Sequence, residues 1–286
     1  MALQKYKINR VMNNNVLLVT NLKSNSQRII TGKGLGFGKK TNQLIELDDK
    51  EIENRFIKFD RKLKADYFKL VDAIDESIFE VCTEVILMAD DKLKDLDNKL
   101  HIVLTDHISF AIERVKNGMD ITNPFLLEIK NLYSEEYEVA LLAREHIHKR
   151  LGVKFNDDEV GFIALHLSSA KRSIDVKETM KHTRVLRSLV EIIEESLNYR
   201  IKNDLTYNRL INHLKGAIQR ASMAQVIENP LIDTLKENFA ESYKIAVRLS
   251  DQIEKDLDIK LSESERGYMT IHINRVRGMA KYNNEK

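Results

Sequence analysis

The chain has 286 residues, 43% hydrophobic and 31% charged, which is enough apolar material for two or three ordinary domains. No run of about 18 apolar residues occurs, so a membrane-spanning helix is excluded, and the opening MALQKYKINR lacks the apolar stretch of a secretion signal. Two prolines and ten glycines in this length predict long, uninterrupted helices, and the single cysteine, Cys82, cannot form an internal disulfide. It lies in SIFEVCTEVI, an amphipathic pattern, and reads as a buried small apolar residue in a soluble, cytoplasmic protein.

The net charge of +2 conceals an asymmetry. Residues 1–45 contain eight bases (Lys5, Lys7, Arg10, Lys23, Arg28, Lys33, Lys39 and Lys40) and no acid. The other 38 bases therefore face all 44 acids, a net of −6. A basic head on an acidic body points to a polyanionic partner for the head.

In chain order, the head reads as short strands at residues 7–13, 16–20, 27–32 and 43–47, a small antiparallel meander. Asn13-Asn14-Asn15 forms the first turn, because asparagine tolerates positive φ, and Lys23 to Ser26 the second. Between the last two strands lies GKGLGFGKK, residues 32–40. A phosphate-binding P-loop needs wider glycine spacing and a helix directly after its lysine, and neither is present; the dinucleotide fingerprint fails likewise. The spacing is instead the strand period of two, which places the bare backbone sites on one face. Lys33 and Phe37 among those glycines suit a nucleic acid: lysine meets phosphate, and phenylalanine stacks on a base. A sheet of about 50 residues is marginal alone, so its apolar face is expected to pair with a second copy, giving a homodimer. A connecting helix is expected near residues 50–63.

The remainder is a duplication. Residues 104–115, LTDHISFAIERV, match residues 210–221, LINHLKGAIQRA, and the match continues without a gap at an offset of 106. Over residues 104–171 it gives 19 identities in 68 positions, far above chance and far too long a period for a solenoid. Apolar residues at i, i+3 and i+4 predict about five helices in each copy, packed as bundles. Asn123-Pro124 reads as a helix start, Asn156 as an N-cap before acidic residues 157–159, and Ser262 with Glu265 as a capping box. The polar junction at residues 171–183 reads as leading into a helix. The fold class is multidomain α+β: a β-sheet head at 1–60 and two homologous helical bundles at 61–172 and 173–286.

Four of the eight histidines fall on repeat-matched positions: His107 with His213, and His166 with His272. His107 and His213 each share a helix face with an arginine seven residues on, Arg114 and Arg220. No carboxylate or cysteine stands at ligand spacing, and His146-x-His148 is lost in the second copy, so no metal or other cofactor is expected. No Ser-His-Asp order or HExxH appears, so a catalytic site is not expected. The remaining chemistry is acceptance of a phosphoryl group by imidazole, which adds about two negative charges at a packed surface.

NRVMNNNVLLV, GKGLGFGKK, LTDHISFAIER, DEVGFIALHL, NHLKGAIQR and RGYMTIHINR, in that order, resemble the BglG-type transcriptional antiterminators of the bacterial sugar phosphotransferase system, with GKGLGFGKK nearest the glucose-operon branch. The resemblance covers almost the whole chain. It implies a dimeric RNA-binding head that grips an imperfect mRNA hairpin and so prevents an overlapping terminator. It further implies that Arg10, Asn15, Gly32, Lys33 and Phe37 touch RNA, and that His107, His166, His213 and His272 accept phosphate. The sugar permease's enzyme II would act on the first bundle and the phosphocarrier protein on the second. Two rivals share the bundles: a DNA-binding regulator, disfavoured by the absence of a helix-turn-helix, and a phosphocarrier enzyme whose head only dimerises.

Overall fold

A computed structural model describes residues 3–32, 34–48, 52, 54–56, 69–202, 205–225 and 227–284. The described chain divides into two compact units, residues 1–123 with 135–176, and residues 124–134 with 177–286.

The head is a five-stranded antiparallel sheet in the order β4-β1-β2-β3-β5, with β1 Gln4–Asn13, β2 Val16–Asn21, β3 Ser26–Thr31, β4 Leu44–Leu47 and β5 Asn54–Phe56. The first four strands fall where alternation puts them. The fifth was not expected: most of the connecting segment at 50–63 lies outside the described residues, and within it residues 54–56 pair with β3 as a strand where a helix was expected. Val16 to Val19 is apolar without a break because both faces of β2 are covered. On one face Tyr6, Ile8, Leu17, Val19, Ile30 and Ile45 close over Leu35 and Ile52. On the other, Met12, Val16, Leu18 and Ile29 pack on Phe79, with Val71, Ile74, Leu87 and Ile102 around them. The apolar face assigned to a second copy is thus covered within the same chain.

Among the described residues, 69–73 are helical, and after them the first copy has α1 Glu76–Leu93, α2 Leu100–Lys116, α3 Leu126–Leu132, α4 Ser134–Leu151 and α5 Asp157–Arg172. The second has α6 Val176–Leu197, α7 Leu205–Ser222, α8 Ile232–Asn238, α9 Ala240–Leu257 and α10 Glu263–Asn284. Cys82 is buried in α1, where loss of water raises its thiol to about 12 and keeps it unreactive. The junction runs straight into α6 after a left-handed Ser173 (φ 54°).

Two capping expectations need correction. Helix α3 starts at Leu126, two residues after Pro124, and Asn123 instead donates its backbone N–H to Asp158 Oδ1 at 2.8 Å. Its counterpart Asn229 accepts from the Leu231 N–H in an Asx turn. Ser262 does accept from the Glu265 N–H, but both Glu265 carboxylate oxygens accept from Arg220, so the returning half of the box is spent elsewhere. Asn156 caps α5 as expected, through the Glu159 N–H.

Candidate functional site

The glycine stretch is not a strand. Residues 34–38 form successive tight turns in which Phe37 N–H bonds to Gly34 C=O, and Gly34 and Gly38 both stand at φ 68°. Hydropathy of period two describes an extended strand and a double turn equally well, and the left-handed glycines decide between them. The turns rest on the asparagine hairpin. Gly32 and Gly36 donate their N–H groups to the carbonyls of Asn15 and Asn14, and Gly34 N–H donates to Asn15 Oδ1 at 2.8 Å. A Cβ on Gly36 would stand 2.2 Å from the Asn13 carbonyl oxygen, so this glycine answers a close backbone approach. The hairpin itself uses no positive φ at Asn14 or Asn15; Asn13 Oδ1 accepts from the Asn15 N–H instead, and Asn25 supplies the left-handed residue of the second turn. Leu35 points into the core and Phe37 outward, 75% exposed.

Of the five head residues singled out above, Asn15 and Gly32 meet in this cradle, and Phe37 projects from it. Arg10, on β1, donates to Asp72, and Lys33 lies outside the described residues.

In each copy the fold brings together two histidines that are 59 residues apart in sequence. Helices α2 and α5 set the His107 and His166 rings 4.9 Å apart, and Phe162 lies 6.0 Å from His107. Helices α7 and α10 stack His213 and His272 at 3.6 Å. The arginine sharing the face of His107 or His213 pairs with a buried glutamate, Arg114 with Glu159 at 2.8 Å and Arg220 with Glu265 at 2.7 and 3.0 Å. Glu159 Oε2 also lies 3.5 Å from His107 Nε2, and neither of these two atoms has a hydrogen-bond partner. Composition and spacing marked Glu159 and Glu265 only as helix-start acids. Their retention together with Arg114 and Arg220 in both copies was the signal that pairs them.

The pairs differ in exposure. His107 is nearly buried and His213 exposed. Burial, then the neighbouring His166 and Arg114, holds His107 at about 3; burial holds His166 at about 4 against the pull of Asp175. Burial, His213 and Arg275 hold His272 at about 4, and burial followed by Arg220 lowers His213. All four imidazoles are therefore neutral at pH 7, the form that is nucleophilic. No group of three or more metal-ligating side chains occurs among the described residues, and no helix there is long and apolar enough to cross a membrane.

Comparison with known proteins finds two kinds of domain along the chain. A CAT RNA binding domain matches residues 6–65, and a PRD domain matches twice, at 83–170 and 187–276. The chain is 35% identical over 279 residues to the GlcA/glcB genes antiterminator of Staphylococcus carnosus, covering 95% of this chain and 96% of that protein. It is 35% identical over 276 residues to the beta-glucoside operon antiterminator of Dickeya chrysanthemi, covering 95% and 96%. A crystal structure of GlcT CAT-PRDI aligns over 58% of this chain and 98% of its own, at 39% identity and a TM-score of 0.52. With an RNA-binding sheet followed by two helical copies that each assemble a histidine pair, this chain belongs to the BglG-type antiterminator family.

Proposed function

We propose that this protein is a transcriptional antiterminator of a glucose phosphotransferase operon, holding an mRNA hairpin that would otherwise give way to a terminator. The observation that carries this reading is the order of one RNA-binding domain and two PRD domains along a chain aligned nearly end to end with antiterminators. The domains run 1–60, 61–172 and 173–286. Arg10, Asn15, Gly32, Lys33 and Phe37 form the RNA face. The glycine cradle supports this, since it presents bare backbone and the exposed Phe37 ring, with exposed Lys39 and Lys40 next along the chain.

His107, His166, His213 and His272 are the phosphoacceptors. Their neutrality and pairing support this role. The permease's enzyme II modifies the first pair and silences the protein when no sugar enters; the phosphocarrier protein modifies the second. The protein works as a cytoplasmic homodimer, as a regulator rather than an enzyme, and without a cofactor. The test is a terminator-readthrough reporter. Phe37→Ala lowers readthrough markedly with or without sugar, by losing one stacking contact worth about 1–3 kcal/mol. His107→Ala gives readthrough that no longer depends on sugar. Readthrough left unchanged by Phe37→Ala removes the docking face, and sugar dependence that survives His107→Ala places the inhibitory site elsewhere.

A further inference from the structure

Two of the five residues of the RNA face are already held by carboxylates of the helical part of the same unit. Arg10 Nη2 donates to Asp72 Oδ1 at 2.5 Å, and Asn15 Nδ2 donates to Glu80 Oε1 at 3.2 Å, while Asn15 Oδ1 keeps its bond to Gly34. Glu80 is in turn fixed by Arg150, whose other guanidinium nitrogen bonds Glu84. Beside Glu80 stands Phe79, the side chain on which Met12, Val16, Leu18 and Ile29 of the sheet pack. A carboxylate offers arginine and amide donors the same anionic oxygens as a phosphodiester.

We propose that Asp72 and Glu80 form an intramolecular docking surface that imitates an RNA backbone and competes with RNA for Arg10 and Asn15. This inference rests on the assignment of those two residues to the RNA face. The contacts differ in weight. Arg10 and Asp72 are about half exposed, so their pair is a latch of modest strength, whereas Phe79, 2% exposed, anchors the sheet. While the latch is closed, Arg10 and Asn15 are engaged by carboxylate oxygens and not by phosphate, and the apparent affinity falls by the fraction of molecules that are open. Ile102, packed on the same apolar cluster, belongs to α2, the helix that carries His107, which sets the phosphoacceptor one rigid element from the latch.

The experiment uses the full-length protein and a hairpin RNA enriched on the wild-type chain from a random-sequence pool. Affinity is measured at one fixed salt concentration for wild type, for Asp72→Asn/Glu80→Gln, and for Asp91→Asn/Asp95→Asn, which makes the same charge change farther along the chain. The first pair of substitutions binds about tenfold more tightly than wild type, and the second within about twofold of it. Equal affinity for wild type and Asp72→Asn/Glu80→Gln overturns the inference and leaves the RNA reading standing. An equal gain from Asp91→Asn/Asp95→Asn assigns the effect to net charge and overturns it as well. If no hairpin is enriched and Phe37→Ala changes nothing, the RNA reading fails, and the mask fails with it.

Discussion

At the scale of single residues, the first histidine pair is defined by what water cannot reach. His101, His107 and His166 are held at about 4, 3 and 4, mainly by burial. An unfolded imidazole takes up a proton near pH 6.5, and these folded ones do not until much lower. Their contribution to stability is therefore complete above pH 6.5 and is lost as the pH falls toward 4. Each costs about 2 kcal/mol between pH 6.5 and 5, at about 1.4 kcal/mol per pH unit. Urea unfolding at pH 7 and pH 5, followed at the first unit, reports this as a drop of several kcal/mol; an unchanged midpoint would contradict neutral buried rings. The role of Glu159 was hidden from the sequence for the same reason. A carboxylate at a helix start looks satisfied by the N-terminus, and nothing local reveals a guanidinium 45 residues away.

At the scale of elements, strands and long helices were legible because alternation and the 3.6-residue period survive any tertiary setting. The glycine loop was not, because alternation records which side chains are apolar and leaves the sign of φ unstated. Gly34 and Gly36 separate two demands that a sequence merges. Gly34 stands at φ 68° in open space, so alanine there costs about 1 kcal/mol of backbone strain. At Gly36 alanine meets the Asn13 carbonyl, and either the hairpin or the loop must move, at about 2–3 kcal/mol. Thermal unfolding of the full chain ranks Gly36→Ala below Gly34→Ala, and only Gly36→Ala displaces Phe37 and loses RNA. Equal melting of the two variants would remove the close approach as the reason for this glycine.

At the scale of the whole molecule, the two copies share histidine pairing but not the placement of the short third helix. Helix α8 packs on α9 and α10 of its own copy, whereas α3 packs on α7 and groups with the second unit. The sequence offers one indication of this. At the same repeat position the first copy has Glu128 and the second Thr234. Glu128, 1% exposed, accepts from Tyr207 Oη at 2.7 Å and from Arg187 Nη1 at 3.2 Å, and burial, then Glu128, raises the Tyr207 hydroxyl. Glu128→Ala removes the acceptor of Tyr207 Oη and Arg187 Nη1, while Arg187 Nε keeps Glu191, and costs the second unit about 1–3 kcal/mol. Amide exchange then accelerates in α6 and α7 while α2 and α5 keep their protection. Acceleration in all four helices would mean that Glu128 supports the chain generally and not the second unit in particular.

Residues 124–134 leave one compact unit, join the other and return, so the backbone is stitched across rather than strung end to end. Recombining relatives by exchanging everything after residue 172 would divide that stitch, leaving Glu128 from one parent to face Tyr207 and Arg187 positions from another. Workable hybrids carry 124–134 together with the rear portion, and the boundaries of inheritance in this molecule are therefore set by its short third helix rather than by the joint between its repeats.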